Sequence, residues 1–443
     1  DITWVENALN DQDQETLFAA RTPRNEVSQK ILDLLVYAEA NIKPAGDGHN
    51  TINVHVVRAL ISRFGLIEGT WRKYHALGDE SKYLEASMAA SEKLIAQFPG
   101  LHSNYDEVFN SLSLKGVAGI LLYKQYEQDQ LHHFLSYLPR TSSGRWDLTK
   151  KAVDMYLMKD GQTRWTSPLF AGDQDAYAEF RNRDKRLYYT VIAPYKVVVN
   201  TTANTWTHTT NPADREYIDL MAQISDPNHK RYPNTNWQGL LLKQTPHFQD
   251  FQDGRPFNVT YTGYHFYKFT NYFQFVQQRD INDAPVFRMG EVLLNYAEAK
   301  FELGGFNQAI AEQTINKLRS RGGVAGLNMA AIPVDPTRDP AVDAVLWEIR
   351  RERAIELMGD GFRFDDLRRW KKMDYATNRK LGRWIVRANY GNKIPTVNNA
   401  AAGNIAYEGV PPTPYPTHYY LYPLPNDQIV LTNGVIKQNP GWQ

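Results

Sequence analysis

The 443-residue chain has room for two or three domains of roughly 150 residues each, or for one large helical array built by repetition. Its 50 basic and 49 acidic side chains leave a formal charge of +1, without the cationic excess that binding nucleic-acid phosphates requires. The absence of cysteine excludes disulfides, thiolate metal sites and cysteine nucleophiles, and no apolar run approaches the ~20 residues of a membrane-spanning helix.

The first residues carry neither the charged nor the apolar region of a signal peptide, so a mature or truncated chain is expected. From Asn25 to Ile42 the apolar Val27, Ile31, Leu34, Leu35 and Ala38 recur at helical spacing, ended by a Gly- and Asn-rich gap. A second helical stretch is predicted over about 53–64. A third and a fourth follow in TWRKYHALGDESKYLEASMAASEKLIAQFPG, separated at Gly78-Asp79 and closed by Pro99-Gly100, which makes a helical hairpin. Residues 160–278 are rich in Asn, Thr, Asp, Gly and Pro and hold the aromatic run YTGYHFYKFTNYFQF. In that run Tyr264 and Phe266 alternate with His265 and Tyr267, the period of a strand covered on both faces. A second hairpin is predicted in EAKFELGGFNQAIAEQTINKLRSRGG, turning at Gly304-Gly305 in the tetratricopeptide manner. Residues 387–443, with seven prolines between Pro411 and Pro440, are predicted to be extended or irregular and to wrap over the scaffold. The chain thus reads as mainly α, a scaffold over about 25–135 and 286–375 carrying an irregular, partly β insertion over about 160–285. With 10 Trp, 26 Tyr and 19 Phe at a mean hydropathy of −0.53, many rings are expected at surfaces, repeat interfaces or a binding site.

Motifs for chemistry are sparse. There is no phosphate loop, zinc helix or nucleophile elbow. His132 and His133 are adjacent and point apart on a helix. Asp11/Asp13 and Asp173/Asp175 have calcium-loop spacing but lack the Gly and distal Glu of such a loop. Neither a metal nor a cofactor is expected. The densest charged segment is Trp347 to Trp370, WEIRRERAIELMGDGFRFDDLRRW, in which Glu352 and Glu356 share a helical face and Gly359-Asp360-Gly361 stops the helix. Two carboxylates on one face suggest a glycosidase acid/base pair. Arg350, Arg351 and Arg353 beside them lower carboxyl pKa values, which spoils a general acid and favours a structural ion network.

The segment IRRERAIELMGDGFRFDDLRRW resembles the C-terminal signature of the SusD/RagB-like outer-membrane nutrient-binding lipoproteins. Four further blocks resemble the same family in the same order: RTPRNEVSQKILDLLVYAEANI, NRDKRLYYTVIAPY, DAPVFRMGEVLLNYAEAKFELG and YLYPLPNDQIVLTNGVIKQNPGW. The resemblance implies tetratricopeptide-type hairpins carrying an irregular, partly β ligand-binding subdomain over residues 1–443. It also implies a cell-surface lipoprotein of the outer membrane that captures oligosaccharide or polysaccharide, or in some members peptide. Such a protein acts as a lid on a SusC-like TonB-dependent transporter barrel and catalyses nothing. Family members carry a signal peptide, a lipidated cysteine and further helices before the block that here begins near Arg21, so a missing front section is expected and any membrane attachment is through an anchor this chain lacks. A glycoside hydrolase using Glu352 and Glu356, and a tetratricopeptide-type adaptor for protein partners, are the alternative expectations.

A sugar ring offers a C–H face and a rim of hydroxyls, which flat aromatic rings and forked polar groups bind without net charge. Trp206, Trp237, Tyr189 and Tyr264 lie in or beside the irregular insertion and are the expected stacking rings, in that order, with Arg215 and Asn236 as polar companions.

Overall fold

A computed structural model describes residues 2–135, 146–193, 197–199, 206–224, 236–237, 240–241, 247–248, 259–270 and 279–442. Two compact units are formed from interleaved stretches: Asp1–Ala90, Phe364–Asn378 and Val410–Gln443 in the first, Ser91–Arg363 and Arg379–Gly409 in the second.

The first unit is built on the helices Arg24–Asn41 and Val54–Tyr74 and the start of Glu80–Gln97. Asn53 caps the second of these, its side-chain oxygen accepting from the backbone N–H of His55 and Val56 at 2.9 and 3.1 Å. The second predicted stretch, over about 53–64, and the third, in the segment from Thr70, are one continuous helix of 21 residues. Gly65 and Gly69 do not end it; they let the next helix approach. A Cβ at Gly65 would lie 2.5 Å from the Tyr83 carbonyl oxygen, and one at Gly69 2.7 Å from Leu84 Cγ. The turn falls at Gly78, where φ is +75°, as the sequence predicts. Val57, Ile61 and Ala90 form the apolar seam, with Leu35, Ala38 and Ile42 packed on it. The buried Arg72 crosses the hairpin, donating to Glu68 at 2.9 Å and to Asn25 and Ser28 at 2.9 and 2.8 Å. The Pro-rich end of this unit is irregular apart from a 3-10 turn, Thr417–Tyr420, and the short helix Asn426–Leu431. Tyr420 packs with Leu367, Trp370 and Met373.

In the second unit the strand Ile120–Lys124 pairs antiparallel with Ala284–Arg288, which leads directly into the helix Met289–Glu302. Twelve of that helix's 14 residues are buried, so it is apolar or internally paired all round and is the unit's central helix. The chain turns at Gly304-Gly305 and returns through Gln308–Gln313 and Ile315–Gly322, an antiparallel hairpin against which Ala344–Glu356 packs through Ala297, Ile315, Leu327 and Ile349. The return helix is broken at Thr314, which the spacing does not predict.

Part of the aromatic surplus is core. Tyr105, Phe109, Tyr156, Phe180, Tyr188, Tyr189, Tyr217 and Tyr264 share one buried cluster with Leu187, Val191 and Ile355. The strand predicted over 264–267 is reduced to single bridges at His265 and Phe266, although all four residues are buried as a doubly covered strand would be. The other strands of the insertion among the described residues are two or three residues long: Val197–Val199 pairs antiparallel with Trp206–His208, Asn236–Trp237 antiparallel with Leu240–Leu241, and His247–Phe248 parallel with Val259–Thr260.

Candidate functional site

The structure separates the residues nominated from sequence. Trp206 opens a three-residue strand opposite Val199, and Asn236 and Trp237 form a two-residue pair with Leu241 and Leu240. The side chains of all three lie outside the described residues. Arg215 follows the turn Pro212–Asp214; its guanidinium donates to the Thr209 carbonyl at 2.7 Å and pairs with Asp219 at 2.8 Å, leaving the side chain one-third exposed. Tyr189 and Tyr264, expected as stacking rings, are instead core residues, at 7% and 0% exposure, and offer no face to a ligand. Burial, reinforced by the neighbouring Glu179 charge, pushes the Tyr264 phenol well above its ordinary pKa, and its hydroxyl donates to Glu179 Oε1 at 2.7 Å.

That hydrogen bond leads to an exposed ring the sequence reading did not single out. Glu179 also accepts from Lys150 at 3.0 Å, and Lys150 donates to Asp154 at 2.7 Å. Asp154 and Asp173 together hold Arg164, whose Nη1 and Nη2 reach them at 2.6 Å each. Burial would raise the Asp173 carboxyl, but the Arg164 hydrogen bond and the Lys150 charge outweigh it and keep the pKa below its ordinary value. The immobilised guanidinium stacks on Phe170, 4.3 Å from its ring centre, and on Trp165, 4.7 Å away. The loop itself is tied down by Ser167 Oγ donating to Asp160 at 2.6 Å and by Thr163 Oγ1 donating to the Val334 carbonyl at 2.9 Å. Trp165 is nonetheless 48% exposed. The result is an indole backed by a pinned cation and open to solvent, on a loop whose backbone is fixed. Thr-Arg-Trp-Thr-Ser-Pro, a Trp in a polar run before Pro, was the sequence signal available for it. Asp173 and Asp175, whose spacing suggested calcium, are engaged otherwise: the first holds Arg164 and the second caps the helix Ala176–Phe180.

The Glu352/Glu356 pair is a structural centre. Both side chains are fully buried. Arg186 Nη1 donates to Glu352 at 2.6 Å and to Glu356 at 3.0 Å, Arg319 Nε donates to Glu352 at 3.2 Å, and Arg321 Nη2 meets both Glu356 oxygens at 2.6 Å. Arg288 also bonds Glu356. Burial alone would raise the Glu356 carboxyl; the surrounding Arg321, Arg288 and Arg186 charges hold it far below the ordinary carboxylate range. A general acid needs a proton to give and access to a glycosidic oxygen, and this group has neither. Arg186, Arg288 and Glu356 lie in three of the blocks quoted above and Arg321 in the second predicted hairpin, and the fold gathers all four into one buried ion network.

A sequence profile of the SusD family matches residues 123–442. The fold is similar to that of a SusD-like protein from Bacteroides fragilis, at 18% identity and a TM-score of 0.64, covering 100% of this chain and 75% of that one. It is similar also to a SusD-like carbohydrate binding protein from the same species (18% identity, TM-score 0.63, 98% and 74% covered). A SusD superfamily protein from Parabacteroides distasonis shows the likeness at 17% identity and a TM-score of 0.53, with 100% and 74% covered. No curated protein matches the chain. The mainly helical architecture with tetratricopeptide-type hairpins is that of these structures, and, with the profile spanning most of its length, the chain belongs to the SusD family.

Proposed function

We propose that the chain captures oligosaccharide or polysaccharide at the cell surface and passes it to a TonB-dependent outer-membrane barrel, without making or breaking a bond in it. Membership of the SusD family supports this, as does the likeness to a structure described as a SusD-like carbohydrate binding protein. The observation that carries the reading is Trp165. An exposed indole held in one orientation by the Arg164 guanidinium offers a flat apolar face to a pyranose, and because the ring is already ordered, stacking on it costs little further rotamer entropy. Trp206, Trp237, Asn236 and Arg215 are proposed as further contacts; Tyr264 is a positioning residue behind the platform. Lipid anchorage at the outer membrane is proposed on family grounds, and no helix among the described residues is long and apolar enough to cross a membrane.

Titration of a panel of neutral oligosaccharides tests the reading. Trp165→Ala should weaken binding by about 1–3 kcal/mol, the range for truncating an aromatic anchor, and cost at most ~1 kcal/mol in stability. Prolonged incubation should release no new reducing ends. Gentle detergent extraction of native outer membranes followed by mass spectrometry should recover the barrel with the lipidated protein. Wild-type affinity in Trp165→Ala would remove the platform from the site, and new reducing ends would make the protein an enzyme.

A further inference from the structure

In the first unit the C-terminal stretch carries rings that neither the core nor the Trp165 loop uses. Tyr422 is 62% exposed and, beside it, Phe364 is 45% and Tyr419 44% exposed. Exposure alone says little, since single apolar side chains are common at surfaces. Here, however, each ring is backed on one side. The Arg368 guanidinium lies 5.0 Å from the centre of the Tyr422 ring and 5.6 Å from those of Phe364 and Trp71. Tyr419 stacks on Trp442, with ring centres 5.1 Å apart and planes 16° from parallel. The backbone that carries the tyrosines is tied down as well: Arg368 Nη2 donates to the Tyr420 carbonyl at 2.6 Å, Asn439 Nδ2 to the Tyr422 carbonyl at 2.6 Å and Trp442 Nε1 to the Leu421 carbonyl at 2.9 Å. The outer faces are thus presented already ordered, which removes much of the entropic cost of holding a ligand on surface side chains.

The surroundings narrow the chemistry of that ligand. Asp365 faces Arg368 at 3.6 Å, so the cation between the rings is compensated and gives no preference for an anion. The phenol hydroxyls of Tyr419 and Tyr422 have no hydrogen-bond partner among the described residues. A purely apolar partner would cover these hydroxyls and leave them unpaired, at a cost. A pyranose has a C–H face to lie on a ring and hydroxyls at its rim to pair with phenols. Area points the same way. A stable protein interface takes roughly 800 Å² from each partner, whereas three half-exposed rings of about 150–250 Å² each supply less than half of that.

We propose that Tyr422, Phe364 and Tyr419 form a second carbohydrate platform, on the first unit, taking neutral pyranose rings separately from Trp165. The proposal rests on the glycan reading above and adds a site to it. These rings are smaller than an indole, so the platform should be the weaker of the two. Hydroxyl-radical footprinting of the purified chain with saturating hexasaccharides of glucose, mannose, galactose and xylose tests it, because the oxidation of each ring is read separately. A hexasaccharide that binds should protect Tyr422, Phe364 and Tyr419 as well as Trp165, and should go on protecting the first three in Trp165→Ala. In calorimetric titrations of the Trp165→Ala chain, adding Tyr422→Ala should weaken the remaining binding about tenfold or more, the loss expected of an aromatic anchor, at an unchanged melting temperature. Tyr422→Trp, which keeps a stacking face, should restore it. Protection of Trp165 alone, or indifference of the remaining binding to Tyr422→Ala, overturns the second platform and leaves the glycan reading intact. Rings shielded by the co-extracted barrel but by none of the sugars would make the patch a protein-docking surface, which overturns it equally. Failure of every hexasaccharide to bind or protect any ring in a chain that melts normally overturns the glycan reading and this proposal with it.

Discussion

Replacing Glu356 by Gln isolates the role of the buried network. The side chain is fully buried and accepts from Arg186, Arg288 and Arg321. In the variant Arg186 keeps Asp184 and Glu352, and Arg288 keeps Asp360 at 2.7 Å, so two of the three guanidiniums retain a carboxylate. Arg321 keeps none of its carboxylate contacts. Removing one partner of a buried pair costs about 3–5 kcal/mol because the other charge stays buried and uncompensated, and the amide's remaining hydrogen bonds place Glu356→Gln toward the lower end, about 3 kcal/mol. Urea denaturation at pH 7, followed by circular dichroism, measures this as a lower midpoint. The pH dependence adds a second constraint. The folded carboxyl titrates well below its ordinary value of 4.5, so its stabilisation is fully present above that pH and is lost as the pH falls. The gap between wild type and variant should therefore be constant from pH 7 to about 5 and close in more acidic solution. A midpoint within ~0.5 kcal/mol of wild type, or lost glycan binding in a variant of unchanged stability, would refute the structural role.

Other perturbations probe separate parts of the argument. Burial, opposed by the Asp360 charge, brings the Lys268 ammonium down to about 8, so the unfolded chain binds more protons than the folded one above that pH; wild type should gain stability on Lys268→Met as the pH rises from 8 toward 10.5, and a flat difference in urea midpoints would contradict it. Gly65→Ala should cost about 1–3 kcal/mol by pushing a methyl into the Tyr83 carbonyl, despite the better helix propensity of Ala, whereas Gly100→Ala, whose Cβ meets open space, should stay within ~0.5 kcal/mol by the same denaturation assay. Tyr264→Phe removes the bond to Glu179 and should cost about 1.5–3 kcal/mol while changing glycan affinity by less than about threefold; a large affinity loss at unchanged stability would make it a ligand contact after all.

The sequence by itself determined whatever depends on neighbours along the chain. The helix predicted from Asn25 is the helix Arg24–Asn41, and the turns at Gly78 and Gly304 are where backbone freedom predicts them. Local charge density around Glu352 and Glu356 was enough to favour an ion network over an acid/base pair, although the guanidiniums that hold Glu356 are the distant Arg186, Arg288 and Arg321 and not the adjacent Arg350, Arg351 and Arg353. What it could not show is which rings are covered. Tyr264 is silenced by Glu179, 85 residues away, and Trp165 is exposed although its neighbour Arg164 is almost wholly buried. Periodicity reports the face an element turns to its surroundings, and an irregular insertion has no period to report. Gly65 and Gly69 show the same limit: the sequence does not say what a missing side chain admits, and here it is another helix. The convergence of Arg186, Arg288 and Arg321 on Glu356, across 170, 68 and 35 residues, was decided by the tertiary structure alone, because only the folded chain brings those charges out of water and within hydrogen-bonding distance of one carboxylate.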